Sequence, residues 1–183
     1  MHTSRKLTTQ DLCAIAVMTA VTAILAQIQI PMPGGVPFTL QTFAILLAGI
    51  LLGPKKGFWS IFIYVFLGLC GAPVLAGFSG GFQNLYGYTG GFLVSFPLLA
   101  LFAGLGTTDR TIKVPKYIGF LLLGMAVNYL CGIAVFCWVA GVSVQAGILS
   151  CMVPFLLPDA IKGVLALVLG STLRKRLPGQ LTA

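Results

Sequence analysis

Apolar residues fall along this chain in long blocks, separated by short polar or Gly/Pro-rich connections. Six blocks, roughly 12–30, 37–53, 57–75, 90–107, 117–140 and 147–173, reach or approach the ~20 residues a helix needs to cross a bilayer. The second and fourth are short, which predicts tilting or burial within a bundle. The last is interrupted by Pro154 and Pro158. The pattern predicts an all-α integral membrane protein, a bundle of six transmembrane helices in one domain over residues 1–183, with neither a low-complexity tail nor an internal repeat. The first block follows Arg5 and Lys6 and could imitate a secretory signal, but its length favours a retained helix.

Composition agrees with that class. Of 183 residues, 58% are hydrophobic and 8% charged, against about a quarter charged in soluble domains. The acids are Asp11, Asp109 and Asp159, and glutamate is absent. A net charge of +8 would point to nucleic acid in a soluble protein, but here the bases flank the apolar blocks, so no nucleic-acid partner is expected. Threading the chain with its N-terminus inside puts Arg5, Lys6, Lys55, Lys56, Arg110, Lys113, Lys116, Arg174, Lys175 and Arg176 on the cytoplasmic side. The outer connections, 31–36, 76–89 and 141–146, carry no Lys or Arg. This partition follows the positive-inside rule and predicts that both termini are cytoplasmic.

Lys162 is the one base left over. It lies three residues after Asp159 in "LPDAIKGVLA", on the same face of a helix. Asp159 precedes Arg174 by 15 residues, which places it about 22 Å above the inner interface at 1.5 Å per residue, in the outer half of the membrane. Pro158 suits a helix's first turn, which would put Asp159 near a positive N-terminal end. Charges at that depth cost at least ~2.5–3.5 kcal/mol on insertion scales and commonly face a cavity or pathway. The bland alternative is an ion pair that fixes helix rotation.

The connection "GAPVLAGFSGGFQNLYGYTGGF" supplies pocket-like chemistry. Phe78, Phe82, Tyr86 and Tyr88 offer flat walls, whereas Ser79, Gln83, Asn84 and Thr89 offer neutral hydrogen-bonding groups. Thr39 and Gln41 in the second block, and Asn128 with Tyr129 in the fifth, are further polar candidates, each equally suited to helix packing. Support for catalysis is missing: there is no GxxxxGK[ST] or HExxH, and no carboxylate cluster to hold a metal. The five cysteines lie singly in apolar runs, so neither disulfide, metal, cofactor nor enzymatic activity is expected.

In order along the chain, "VPFTLQTFAILLAGILLGPKKG", "GAPVLAGFSGG", "GYTGGFLVSFP" and "LPDAIKGVLA" resemble the BioY family, the biotin-specific substrate-binding (S) components of energy-coupling factor (ECF) transporters. The resemblance implies a multi-pass prokaryotic cell-membrane protein that captures biotin from outside. It implies partnership with a transmembrane coupling (T) component and two cytosolic ATPases. It also implies a ligand site containing Asp159 and Lys162 together with the loop after the third block; the loop and helix candidates are Asn84, Gln83, Tyr86, Thr89, Phe78 and Gln41. A small-residue face on the first helix, Ala16, Ala20 and Ala23, would dock the coupling component. Such sequences commonly carry Pro before the Thr of the TGG motif, where this chain has Tyr88. Alternatives are an S component for another vitamin, such as thiamine or riboflavin, and a stand-alone ion-coupled secondary transporter. The latter would have to use Asp159 as its protonatable group.

Overall fold

A computed structural model describes residues 8–32, 34–108 and 112–176. His2, Arg5, Lys6, Pro33, Asp109 and Arg110 lie outside these ranges. Among the described residues the regular structure is helical apart from one two-residue strand pair. In chain order it contains α1 (Thr9–Ala26), β1 (Gln29–Ile30), β2 (Phe38–Thr39), α2 (Gln41–Leu69), α3 (Gly90–Gly106), α4 (Val114–Ala140), α5 (Val144–Cys151) and α6 (Val153–Arg176). Of these, α1, α2, α4 and α6 are long and apolar enough to cross a membrane, and α3 is a shorter apolar helix.

The blocks read from the sequence recur with shifted ends. The second and third run together as α2, but Gly53 (φ 77°, ψ 178°) breaks its helical path. Pro54 then opens the second arm, where a missing N–H costs nothing. The arms, 41–52 and 54–69, fold back on each other: Gln41 meets Tyr64, and a Cβ on Gly57 would lie 2.8 Å from the Cα of Gly49. The third block ends early, at Leu69, because the chain turns at Gly71 with φ 105°. The sixth block divides at Met152 into α5 and α6.

One expectation is corrected. Pro158 is not in the first turn of a helix and Asp159 is not at its N-terminal end. The helix α6 begins at Val153, so Pro154 occupies the permissive first turn and Pro158 lies inside.

The short arm 41–52 is the centre of the bundle, with every residue from Ala44 to Leu52 buried. It runs alongside α3 so closely that a Cβ on Gly49 would sit 2.3 Å from the carbonyl oxygen of Ala100. Small residues at such crossings let backbones approach within van der Waals range. Around this pair, α1 lies along the arm 54–69, α4 lies antiparallel to α3, and α6 packs on both α4 and the arm 41–52. The contacts Thr19–Ser60, Ser95–Asn128, Tyr117–Gly163 and Gly170–Ile50 mark these pairings.

Charge is sorted by end. Lys56 bonds Asp11 at 2.7 Å, Lys116 bonds Thr108 at 2.9 Å, and Arg174 reaches the carbonyl of Thr107, all at the end where α2 turns at Gly53. Asp11 also closes a reciprocal cap with Thr8 at the start of α1. The opposite end holds the β1–β2 hairpin and the connection 70–89, which forms two short 3₁₀ turns, Ala76–Phe78 and Phe82–Leu85.

Candidate functional site

A cavity of about 220 Å³ opens between the ends of α3, α4 and α6, the arm 41–52 and the connection 70–89. Asp159 and Lys162 lie on its wall, 6% and 4% exposed. Their i,i+3 spacing brings Nζ of Lys162 to 2.9 Å from Oδ1 of Asp159. The second carboxylate oxygen is also occupied: the Tyr129 hydroxyl, from α4, donates to Oδ2 at 2.7 Å. The ammonium sits 4.0 Å from the ring centroid of Phe38 in β2, which adds a cation–π contact. Phe38 stacks on Phe155, which precedes Asp159 by one helical turn, and Phe92 meets Tyr129 edge-on. The acid, the base and the phenol thus form one buried network inside an aromatic collar.

Several polar groups on the remaining wall are held by neighbours. Gln41 donates through Nε2 to the Tyr64 hydroxyl at 2.7 Å and accepts from Thr39 at 2.9 Å. Asn128, also on the wall, accepts at Oδ1 from the Ser95 hydroxyl at 2.8 Å. Asn84 donates to the Gly81 carbonyl at 3.0 Å, and Thr89 stands at the N-cap of α3 with no side-chain capping bond. The side-chain nitrogens and oxygens buried from solvent among the described residues all have partners, as the cost of an orphaned polar group demands.

Among the residues singled out from the sequence, Asp159, Lys162, Gln41, Asn84 and Thr89 meet on this cavity, as do Thr39, Ser79, Asn128 and Tyr129. Gln83, Tyr86 and Phe78 do not line it. The Gln83 amide folds back onto the Gly80 carbonyl at 2.7 Å, and Tyr86 packs against Phe82 near the mouth. The Phe78 ring is 70% exposed. Tyr88 packs on Phe136 of α4 with ring centroids 5.5 Å apart.

The apolar lining, Phe92, Phe96 and Phe155, escaped the sequence reading. Phe155 carried a signal, since it precedes Asp159 by four residues and so shares its helical face. A second concavity, a groove of about 550 Å³, runs along α1 and the arm 54–69, with Ala16, Ala20 and Ala23 on its floor.

The sequence model of the BioY family matches residues 1–179 of this chain. The chain belongs to the BioY family. A relative described as a probable biotin transporter BioY, from Pyrococcus horikoshii, is 40% identical over 166 residues, covering 90% of this chain and 96% of that protein. The biotin transporter BioY of Thermotoga maritima is 36% identical, with 91% and 96% covered. In three dimensions the chain is similar to the S-component for biotin from an ECF-type ABC transporter, solved at 2.1 Å. That match has a TM-score of 0.84 at 31% identity, covering 94% of this chain and 95% of the other. Membership of the BioY family places the chain among transport proteins rather than enzymes.

Proposed function

We propose that this chain is a biotin-capturing S component of an ECF-type ABC importer. The observation that carries the reading is the buried Asp159–Lys162–Tyr129 network on the wall of an aromatic-lined cavity. The cavity is somewhat smaller than the ~300–1,000 Å³ of drug-sized sites, which suits a ligand of vitamin size. Biotin has two ureido N–H donors, a carbonyl acceptor, an apolar thiophane ring and an anionic valerate tail. Asp159 can accept from the ureido group, Lys162 and the Asn128 amide can donate to a carbonyl or carboxylate, and Phe92, Phe96 and Phe155 can cover the rings.

In this reading the chain crosses a prokaryotic cell membrane six times, with α1, the two arms of α2, α3, α4 and α6 as the spans. The basic end and both termini face the cytoplasm, as the positive-inside rule requires. The cavity then opens outward. A transmembrane coupling component would seat on the groove floored by Ala16, Ala20 and Ala23, where small side chains admit a partner helix. Two cytosolic ATPases would complete the importer. Equilibrium binding of labelled biotin to the purified protein tests the ligand, and Asp159→Asn and Lys162→Ala test the site. Saturable binding that both variants weaken supports the reading; wild-type protein that binds no biotin refutes it.

A further inference from the structure

One side chain at the end of α1 ties the outer wall of the cavity to that helix. Gln27 caps that helix, and its Nε2 donates within 2.8 Å of the Ala23 carbonyl, 3.1 Å of that of Leu75 and 3.2 Å of that of Val74. Two hydrogens serve these three acceptors. On its other side, Oε1 accepts the backbone N–H of Phe78 at 2.7 Å. Three of the four partners therefore belong to a segment about 50 residues away in sequence.

That segment is a tight turn, closed by the Leu75 N–H donating to the Ser79 carbonyl at 3.1 Å. Leu75, Ala76 and Ser79 line the cavity. Between them, Gly77 has φ +67° and Phe78 φ +55°. Phe78 is the one non-glycine residue at positive φ among the described residues. A left-handed backbone is disfavoured for phenylalanine because its Cβ crowds the following carbonyl. Its ring is mostly exposed and so gains little from burial in return. Such a conformation persists only where its surroundings over-determine it. Here the amide of the strained residue is the one Gln27 binds. Gly77 is packed against the strand that follows α1, since a Cβ there would lie 2.6 Å from Nε2 of Gln29 in β1.

We infer that Gln27 is a positioning residue of the substrate cavity, pinning the strained 75–79 turn against α1 so that the outer wall stays closed over the ligand. The role for ligand retention rests on the biotin reading; the pinning does not. The test uses three variants of the full chain, Gln27→Leu, Phe78→Asn and the double variant, because asparagine tolerates the left-handed backbone that phenylalanine resists. In the ligand-free protein, amide hydrogen exchange in the 74–81 segment is expected to quicken about tenfold in Gln27→Leu, the scale of two lost neutral hydrogen bonds. Dissociation of labelled biotin is expected to quicken by a similar factor. Adding Phe78→Asn is expected to bring both rates back to within about threefold of wild type by removing the strain.

Unchanged exchange in Gln27→Leu would overturn the inference. Faster exchange with unchanged biotin release would overturn the role in the cavity. Failure of Phe78→Asn to rescue would also overturn it, because damage confined to α1 would be insensitive to backbone preference at residue 78. Wild-type protein that holds no biotin would instead overturn the ligand, leaving the exchange measurement to decide the tether.

Discussion

Removing the charge on Lys162 while keeping an unbranched apolar stem separates electrostatics from packing. In Lys162→Met the stem still fills the wall beside Phe38, but the ammonium 2.9 Å from Asp159 is gone. The carboxylate then keeps one partner, the Tyr129 hydroxyl, at a position only 6% exposed. Breaking a buried ion pair from one side typically costs about 3–5 kcal/mol, because the remaining charge is left uncompensated. At roughly 2–4 °C per kcal/mol for a chain of this length, the midpoint of thermal unfolding in detergent should fall by about 6–20 °C. The double variant Asp159→Asn/Lys162→Met removes both charges and leaves an amide oxygen for Tyr129 to bind. It should recover most of that loss, since neutral replacements of buried pairs are often no less stable. Ligand affinity should not recover with it. A midpoint in Lys162→Met within about 2 °C of wild type would refute the buried-pair account. So would a double variant as unstable as the single one.

Three further outcomes follow from the geometry. Tyr129→Phe keeps the edge contact with Phe92 but deletes the bond to Asp159 Oδ2, a hydrogen bond to a charged group worth about 1.5–3 kcal/mol, so ligand affinity measured by calorimetry should fall at least about tenfold. Gly49→Ala places a methyl 2.3 Å from the Ala100 carbonyl, backbone that cannot swing away, and should destabilise by about 1–3 kcal/mol or more in a thermal-shift assay. Ala20→Phe projects from the exposed face of α1 into the groove; it should leave biotin binding by the isolated chain unchanged while abolishing co-purification with the coupling component.

Much of this architecture was legible because lipid imposes a simple rule on sequence. Any segment that crosses must be long and apolar, so the apolar helices α1, α2, α3, α4 and α6 were visible as blocks, and the sorting of lysines and arginines to one end matched the contacts at Lys56, Lys116 and Arg174. Asp159 and Lys162 stood out for the same reason: few charges are tolerated, so those present draw notice. Helix ends were less legible. The reversal between the second and third blocks was expected, but nothing in the apolar pattern reveals that it pivots on Gly53 alone at positive φ, or that α6 begins before Pro158. The loop was legible only in composition. Asn84 and Thr89 face the cavity whereas Gln83, Tyr86 and Phe78 turn from it, a choice made by 3₁₀ turns and by the Gln27 contacts across the fold. The aromatic collar was hidden because, in a chain this rich in phenylalanine, a pocket wall and a lipid-facing ring have the same spelling.

In the proposed function the cavity around Asp159 and Lys162 holds biotin. Isothermal titration of the purified wild-type chain, freed of bound ligand, with biotin and in parallel with thiamine and riboflavin tests it most directly. The account predicts saturable one-site binding of biotin, none of comparable strength for the other two vitamins, and at least a tenfold loss in Asp159→Asn. Biotin bound no better than the other vitamins, or bound with wild-type affinity by Asp159→Asn, would contradict it.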